Sequence, residues 1–305
     1  MTDASPSLIV ITGPTAVGKT HLAIQLAKNY STEIISCDSR QFYKELNIGV
    51  AKPSLHELEA IPHHMIGFLS ITESYNAFRF ETDVIRLCNQ LFLSNNTAIM
   101  VGGSGLYMHA VTHGIDDLPD PDPGLRQQLK NKLQTGGVDA LRIELRSLDP
   151  AYFNVVDRDN PKRLLRALEV CLTTGLPYSS LRIGVPVERS FRTIKIGLSL
   201  DREILYEKIN RRVDLMMESG LLEEATSLYP FKGLNALNTV GYKELFKYIE
   251  GNSSLNVAIE KIKTNTRRYA KRQLTWLKKD PEIRWFDPTE VQAIQEYIES
   301  DEVMG

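Results

Sequence analysis

Three features of the sequence predict an α/β fold: a P-loop, doubly wound parallel sheet core with an inserted helical domain and a helical C-terminus. They are short β-branched runs that end in polar loops ahead of helices, a Pro/Asp-rich break near residue 116, and helical periodicity beyond residue 200. The first run, residues 7–12 (Ser-Leu-Ile-Val-Ile-Thr), is apolar and stops at Gly13, as a strand buried on both faces does. From Lys19 to Asn29, Leu22, Ala23, Leu26 and Ala27 recur at helical spacing. A second strand is expected at 33–36, ahead of Asp38-Ser39-Arg40-Gln41, and a third at 98–101, ahead of Gly102-Gly103-Ser104-Gly105 and another helix start.

The pattern breaks at Asp116-Asp117-Leu118-Pro119-Asp120-Pro121-Asp122-Pro123, which reads as a linker. From about 124 to 185 the period is helical, for example at Leu164, Leu165, Leu168, Cys171 and Leu172, and residues 191–200 return to a strand pattern. The expected organisation is therefore a core of residues 1–115 and 191–305 with a helical domain, 116–190, inserted into it. Long helices are expected to the C-terminus.

With 305 residues, 42% hydrophobic and 24% charged, the chain can bury a substantial core. No apolar stretch is long enough to span a membrane and the N-terminus lacks a signal pattern, so cytoplasmic residence without membrane association is expected. Cys37, Cys88 and Cys171 are too dispersed for a disulfide framework or a zinc motif. A net charge of −2 gives no global attraction to nucleic acid, so any such binding must come from a local basic patch.

The chemistry starts at Gly13-Pro14-Thr15-Ala16-Val17-Gly18-Lys19-Thr20, a Gly-x4-Gly-Lys-Thr loop between strand and helix. Such a loop aims successive backbone N–H groups and the positive helix end at an anion. Lys19 adds a point charge, and the Thr20 hydroxyl is suited to ligating Mg²⁺. A glycine turn without a ligand is the plainer alternative, which the strand-before, helix-after setting argues against. An ordinary NTPase also ends an apolar strand in a metal-holding acid, whereas Met100-Val101-Gly102-Gly103 offers none. The nearest acid is Asp38, at the carboxyl edge of the second strand, where ligands of such sheets bind; a turn or N-cap role is its alternative. This fits small-molecule kinases and other phosphate-handling transferases better than motor or switch NTPases.

Further motifs follow in order: Ile35-Ser36-Cys37-Asp38-Ser39-Arg40-Gln41-Phe42-Tyr43, Ile48-Gly49-Val50-Ala51-Lys52-Pro53 and Val101-Gly102-Gly103-Ser104-Gly105-Leu106-Tyr107. Beyond them come Asn160-Pro161-Lys162-Arg163-Leu164-Leu165-Arg166-Ala167-Leu168-Glu169, Val240-Gly241-Tyr242-Lys243 and Lys271-Arg272-Gln273-Leu274-Thr275-Trp276. From about residue 8 to 279 the chain resembles the tRNA dimethylallyltransferases, or tRNA isopentenyltransferases. The resemblance implies transfer of a dimethylallyl group from dimethylallyl diphosphate to N6 of the adenine just 3′ of the anticodon, with Mg²⁺. It reassigns the P-loop from ATP to a prenyl diphosphate. Two departures stand out: Val50 where the family usually has Thr, which argues against a polar role there, and Ser104 where Thr is common.

The acceptor amine is a weak nucleophile, so a base must take its proton as the N–C bond forms, and Asp38 is the candidate. The leaving diphosphate gains charge, which Lys19, the loop amides, Mg²⁺ on Thr20 and one arginine can stabilise. By position in the resemblance that arginine is Arg212; Arg211 beside it and a plain helix-surface role remain open.

Between Lys261 and Lys279 lie eight basic residues and no acidic one. Ile262, Tyr269, Gln273 and Leu277 fall near one helical stripe, which turns Lys271, Arg272, Thr275 and Lys278 toward RNA phosphates, or merely toward solvent. Tyr269 and Trp276 are expected to pack in the core rather than stack on bases. Arg158, Lys162, Arg163 and Arg166, with Leu164 and Leu165 between them, form a second cluster for clamping the tRNA anticodon stem-loop. The resemblance adds Arg126 and residues 238–243, with Gly241, Tyr242 and Lys243. An adenine extruded from the loop would be read by Asp38-Ser39-Arg40-Gln41, with Ser104 nearby. The partners expected are dimethylallyl diphosphate and tRNA, for a chain acting as a monomer. The pair His63-His64 lacks a third ligand at metal spacing and is expected in a packed loop.

Three rival readings remain. An adenylate isopentenyltransferase acting on free AMP or ATP would not need the basic stretch 271–276. A small-molecule kinase would use the loop for ATP, and a tRNA-binding module without chemistry would not need Asp38.

Overall fold

The computed structural model describes residues 5–303. Strand β1 (Ser7–Thr12) is buried along its whole length and leads through the loop to α1 (Lys19–Asn29). Then come β2 (Ile34–Cys37), α2 (Leu55–Ala60), β3 (His63–His64), α3 (Ala77–Leu91), β4 (Thr97–Gly102) and α4 (Gly105–His113). After the insertion the core resumes with β5 (Arg192–Leu198), numbered after the insertion's helices α5 to α8 described below. It closes with α9 (Arg202–Glu218), α10 (Leu221–Leu228), α11 (Tyr242–Ile249), α12 (Leu255–Leu277), β6 (Arg284–Phe286) and α13 (Val291–Val303).

The strands form one parallel sheet in the order β3-β2-β4-β1-β5-β6. Alternation along β1 explains its two faces: Ile9 and Ile11 pack with Leu22 and Leu26 of α1, while Leu8 and Val10 pack with Phe80 and Val84 of α3. With every strand parallel, the carboxyl ends Thr12, Cys37, Gly102 and Leu198 gather on one edge, and the loops that follow them build the site.

Two short strands depart from the sequence expectation. His63–His64 pairs with β2, although these residues were expected in a loop, and Arg284–Phe286 pairs with β5 inside a stretch expected to be helical. Strands of two and three residues carry no readable period. Sheet pairing rather than local pattern sets them.

His113–Val187 is a second compact unit, with Val187 N–H donating to His113 O at 2.8 Å; the expected span 116–190 lies slightly later. It holds α5 (Pro123–Leu148), α6 (Pro150–Val155), α7 (Pro161–Thr174) and α8 (Tyr178–Leu181). Three Asx-Pro pairs start its helices: Asp122, Asp149 and Asn160 cap α5, α6 and α7 through the N–H groups of Leu125, Tyr152 and Arg163, each followed by proline at the first helical position. The last Asp-Pro of the apparent linker is therefore a helix start. At Gly137 (φ 65°) α5 breaks, and its two parts fold over Leu129, Leu141, Leu145, Leu164 and Leu168.

Asp149 is 1% exposed; it accepts from Tyr152 N, and from both Ser179 N and Ser179 Oγ at 2.6 and 2.8 Å. Asp149→Ala removes a cap and strands buried donors, and is expected to cost about 2 kcal/mol or more in urea unfolding. A loss below about 0.5 kcal/mol would contradict this role.

Candidate active site

The loop leaving β1 carries its strain openly: Gly13 (φ 144°), Ala16 (φ 66°) and Gly18 (φ 111°) all have positive φ. A non-glycine residue in that region is uncommon and clusters at ligand-binding loops. The turn it makes puts Lys19 and Thr20 in the first turn of α1, whose leading N–H groups face the sheet edge. Lys19 Nζ folds back over the loop and donates to Gly13 O at 3.0 Å and Pro14 O at 2.8 Å. Burial, then the nearby Arg212 charge, lowers its pKa to about 8, opposed by Asp38.

A second link fixes the loop from outside. Gln273 of α12 accepts from Thr15 N at 3.0 Å and donates to Gly103 O at 3.0 Å, so it ties the P-loop to the turn after β4. The glycines of that turn follow from close approach: a Cβ on Gly103 would lie 2.2 Å from Gln273 Nε2, and one on Gly105 2.2 Å from the Trp276 ring. Gly103 and Gly105 are thus dictated by α12, and Gly102 by the backbone of Cys37 at the end of β2.

Thr15, Lys19, Thr20, Asp38, Arg212 and Tyr269 line one cavity of ≈ 410 Å³. Asp38 Oδ1 accepts from Arg40 N at 2.9 Å, so the carboxylate holds its own turn as well as facing the cavity. Arg212 reaches Thr15 Oγ1 at 3.4 Å while Arg211, also on the cavity wall, is exposed. The pKa of Arg212 is lowered first by burial, with Asp38 and Glu57 opposing. A second recess shares Thr15, Asp38, Val50, Ala51, Arg212 and Tyr269 with the first and continues past an apolar wall of Ile209, Val213, Met216 and Ile262, with Arg40, Thr239 and Thr266 also lining it. Val50 therefore contributes an apolar wall. Burial and then Asp38 push the Cys37 thiol far up, which keeps it protonated.

The loop carrying Val50 is held by one carboxylate. Glu224 accepts from Asn47 N, Ile48 N and Gly49 N at 3.1, 2.8 and 2.9 Å, and from Tyr242 Oη at 2.6 Å. Glu224 has no motif around it, and the sequence reading missed it. Tyr242, expected to touch tRNA, is instead fully buried with its hydroxyl spent on Glu224. Leu164 is likewise buried, in the core of the helical unit, because it sits on the apolar face of α7. Leu165 packs partly against that core, and Gly241 is buried on the wall of the recess. Gln41 uses Nε2 on Val50 O and Ala51 O and Oε1 on Ser36 Oγ, and Gln273 spends its amide as above, so both are committed inside the protein. Arg40 donates to Asn235 O and Ala236 O, and Ser104 Oγ accepts from Ser39 N.

Tyr269 and Trp276, expected in the core, are 37% and 39% exposed. Burial, then the Asp38 charge, raises the Tyr269 phenol, so its hydroxyl end is the sheltered one. Trp276, Arg268, Lys271, Arg272, Thr275 and Lys279 line an open groove along α12. Lys278 and Lys243 are exposed as well. Lys263 is instead paired with Asp214 and Glu260, and Arg267 donates to Asn210 and Thr264, so those two cations serve the fold. In the helical unit Lys162 and Arg163 are exposed, whereas Arg126 forks onto the buried Glu169, which Arg166 also approaches at 3.8 Å. Among the described residues no group of three or more His, Cys, Asp or Glu side chains could hold a metal ion. None of the described helices is long and apolar enough to cross a membrane.

The fold and site define a P-loop α/β protein whose loop opens beside a carboxylate, an arginine and a partly apolar recess. Residues 41–280 match the family model described as IPP transferase. The chain is 53% identical over 96% of its length to a tRNA dimethylallyltransferase of Christiangramia forsetii, covering 97% of that protein, and 50% identical to tRNA dimethylallyltransferase 1 of Bacteroides thetaiotaomicron over 96% of its length. Among solved structures it resembles a tRNA isopentenylpyrophosphate transferase of Bacillus halodurans (TM-score 0.72, 36% identity, 98% of this chain and 97% of that one). It also resembles a eukaryotic dimethylallyltransferase acting on tRNA (TM-score 0.78, 29% identity, 94% and 75%). The chain belongs to the IPP transferase family.

With its pKa lowered to about 8, Lys19 loses its charge as the pH rises through 8 in the free protein, and with it any hold on an anion at the loop. Affinity for inorganic diphosphate, measured relative to Lys19→Met, is expected to fall by up to about tenfold per pH unit above 8. A ratio independent of pH between 7 and 10 would contradict the assignment.

Proposed function

We propose that the protein transfers the dimethylallyl group of dimethylallyl diphosphate to N6 of the adenine 3′-adjacent to the anticodon of tRNA, releasing diphosphate. The observation that carries this reading is the shared boundary of the two cavities: Asp38 stands between an anion-binding loop and a partly apolar recess. A prenyl diphosphate has that amphiphilic outline, and ATP does not. The names of the curated relatives support tRNA, rather than free adenylate or a small alcohol, as the acceptor.

In this reading the diphosphate lies on the N–H groups of the loop, with Lys19 and Arg212 beside it. The amine lone pair forms the N–C1 bond as the C1–O bond breaks and the electron pair leaves with diphosphate. Asp38 takes the proton from N6. Charge grows on the leaving oxygen, and two cations already fixed at the loop stabilise it without reorganising. The donor set fits a magnesium ion carried mainly by substrate phosphates, with the Thr20 hydroxyl as its protein ligand and no all-protein cage. Such an ion neutralises diphosphate charge.

The exposed groove on α12 supplies Arg268, Lys271, Arg272 and Lys279 for phosphates and Trp276 for stacking. Lys162 and Arg163 of the helical unit serve the stem-loop as well. The chain acts as a monomer in the cytoplasm, where unmodified tRNA is available.

Offered labelled dimethylallyl diphosphate together with unmodified tRNA or AMP, the enzyme is expected to label tRNA alone; label in AMP would favour the free-adenylate reading. Asp38→Ala is expected to lower kcat by about 10²-fold or more while the thermal midpoint stays close to that of the parent. A near-parental kcat would remove Asp38 as the base.

A further inference from the structure

Val50 and Ala51 line both cavities, on the boundary they share with Thr15, Asp38 and Arg212. The backbone there takes a conformation that a residue with a side chain rarely adopts: Ala51 has φ 47°. Such strain persists only where the surroundings over-determine it, and it clusters at ligand clamps.

Several supports hold this segment. Inside it, Ala51 N donates to Ile48 O at 2.9 Å and Lys52 N to Asn47 O at 3.1 Å. The Lys52 ammonium spends all three donors, on Tyr43 O, Lys44 O and Asn47 Oδ1 at 2.6, 3.2 and 3.1 Å. Gln41 Nε2 donates to Val50 O and Ala51 O, and Gln41 N to Asp38 O at 3.0 Å, which joins the segment to the turn carrying the carboxylate. One support comes from far away in the chain: Glu224, 175 residues from Gly49. Three successive N–H groups turned to one point make a concavity that takes an anion. Glu224 fills it, with Oε2 on Asn47 N and Ile48 N and Oε1 on Gly49 N and the Tyr242 hydroxyl. A carboxylate only accepts. A carboxamide of the same shape sets its NH₂ against Asn47 and Ile48, or against Gly49, whichever way it turns.

We propose that Glu224 is a positioning residue for prenyl transfer, which pins residues 47–49 so that Val50 and Ala51 keep the reacting carbon in line with Asp38. This rests on the prenyl-transfer reading above. Glu224 lines neither cavity, so it acts through the loop and exchanges no proton with substrate. A displacement of about 1 Å is enough to lower turnover by about 10²-fold, because the reacting atoms must be held at attack distance.

The test measures turnover with dimethylallyl diphosphate and unmodified tRNA, both saturating, together with tRNA affinity and the thermal midpoint, in the parent, Glu224→Gln and Gly49→Ala. The second variant moves the same loop with Glu224 intact, since a Cβ on Gly49 would lie 2.6 Å from the Tyr242 ring. Both are expected to lower kcat by about tenfold or more while tRNA binds as in the parent. A parental kcat in Glu224→Gln overturns the assignment even where its midpoint falls, since that is how a residue that only holds the fold behaves. If Glu224→Gln does not fold, Gly49→Ala decides. Amide hydrogen exchange of the substrate-free parent is the check that needs no variant: the N–H groups of Asn47, Ile48 and Gly49 are expected to be protected, and exchange at unprotected rates overturns the clamp. A parent that fails to label tRNA from dimethylallyl diphosphate overturns the prenyl-transfer reading instead, a result distinct from an active parent with equally active variants.

Discussion

Two half-buried cations held against one loop set the terms for the rest of the structure. Lys19 and Arg212 both lose solvation, which lowers the pKa of each, and the Arg212 charge helps bring that of Lys19 down to about 8. Asp38 offsets part of this, but one carboxylate against two cations and a helix N-terminus leaves a positive excess. An anion bearing more than one charge is the natural complement. The loop must also be kept from relaxing, and Gln273 does so from more than 250 residues away in sequence by bonding both Thr15 and Gly103.

The parallel sheet makes that convergence possible. Its carboxyl edge gathers the turn after β1 with its P-loop, the turn after β2 with Asp38 and the turn after β4 with its glycines. The chain then returns through β5 to set α9, with Arg212 and the recess wall, alongside. Glu224 completes the enclosure by satisfying three successive N–H groups of the loop that carries Val50, while the Tyr242 ring lies 2.6 Å from where a Gly49 side chain would begin. Rigid neighbours on every side favour a site that selects by shape.

Much of the sheet was legible in the sequence because fully buried parallel strands read as apolar runs, as at 7–12, and because the P-loop spacing has a mechanical reason. Asp38 stood out by its place after a strand, and it does line the cavity. What escaped lay where one pattern has two meanings. Tyr269 sits on the apolar stripe of α12, and helical spacing cannot tell a core residue from a cavity wall. Leu164 lies between basic residues in sequence but turns inward, since neighbours along a helix point about 100° apart. Lys263 and Arg267 look the same as Lys271 in a list of charges, yet the partners that absorb them, Asp214 and Asn210, come from another helix. Glu224 had no local signal at all, because its partners are backbone groups.

In the proposed reaction, diphosphate, reacting carbon and prenyl tail lie in line from the P-loop, past Asp38, into the recess beside Met216. A crystal structure with the unreactive thio analogue of dimethylallyl diphosphate and a tRNA anticodon stem-loop tests it most directly. The expected complex has the diphosphate on Gly13 to Thr20, C1 and the adenine N6 beside the Asp38 carboxylate, and the methyls within van der Waals reach of Val213 or Met216. A tail directed away from the recess, or an N6 remote from Asp38, would contradict it.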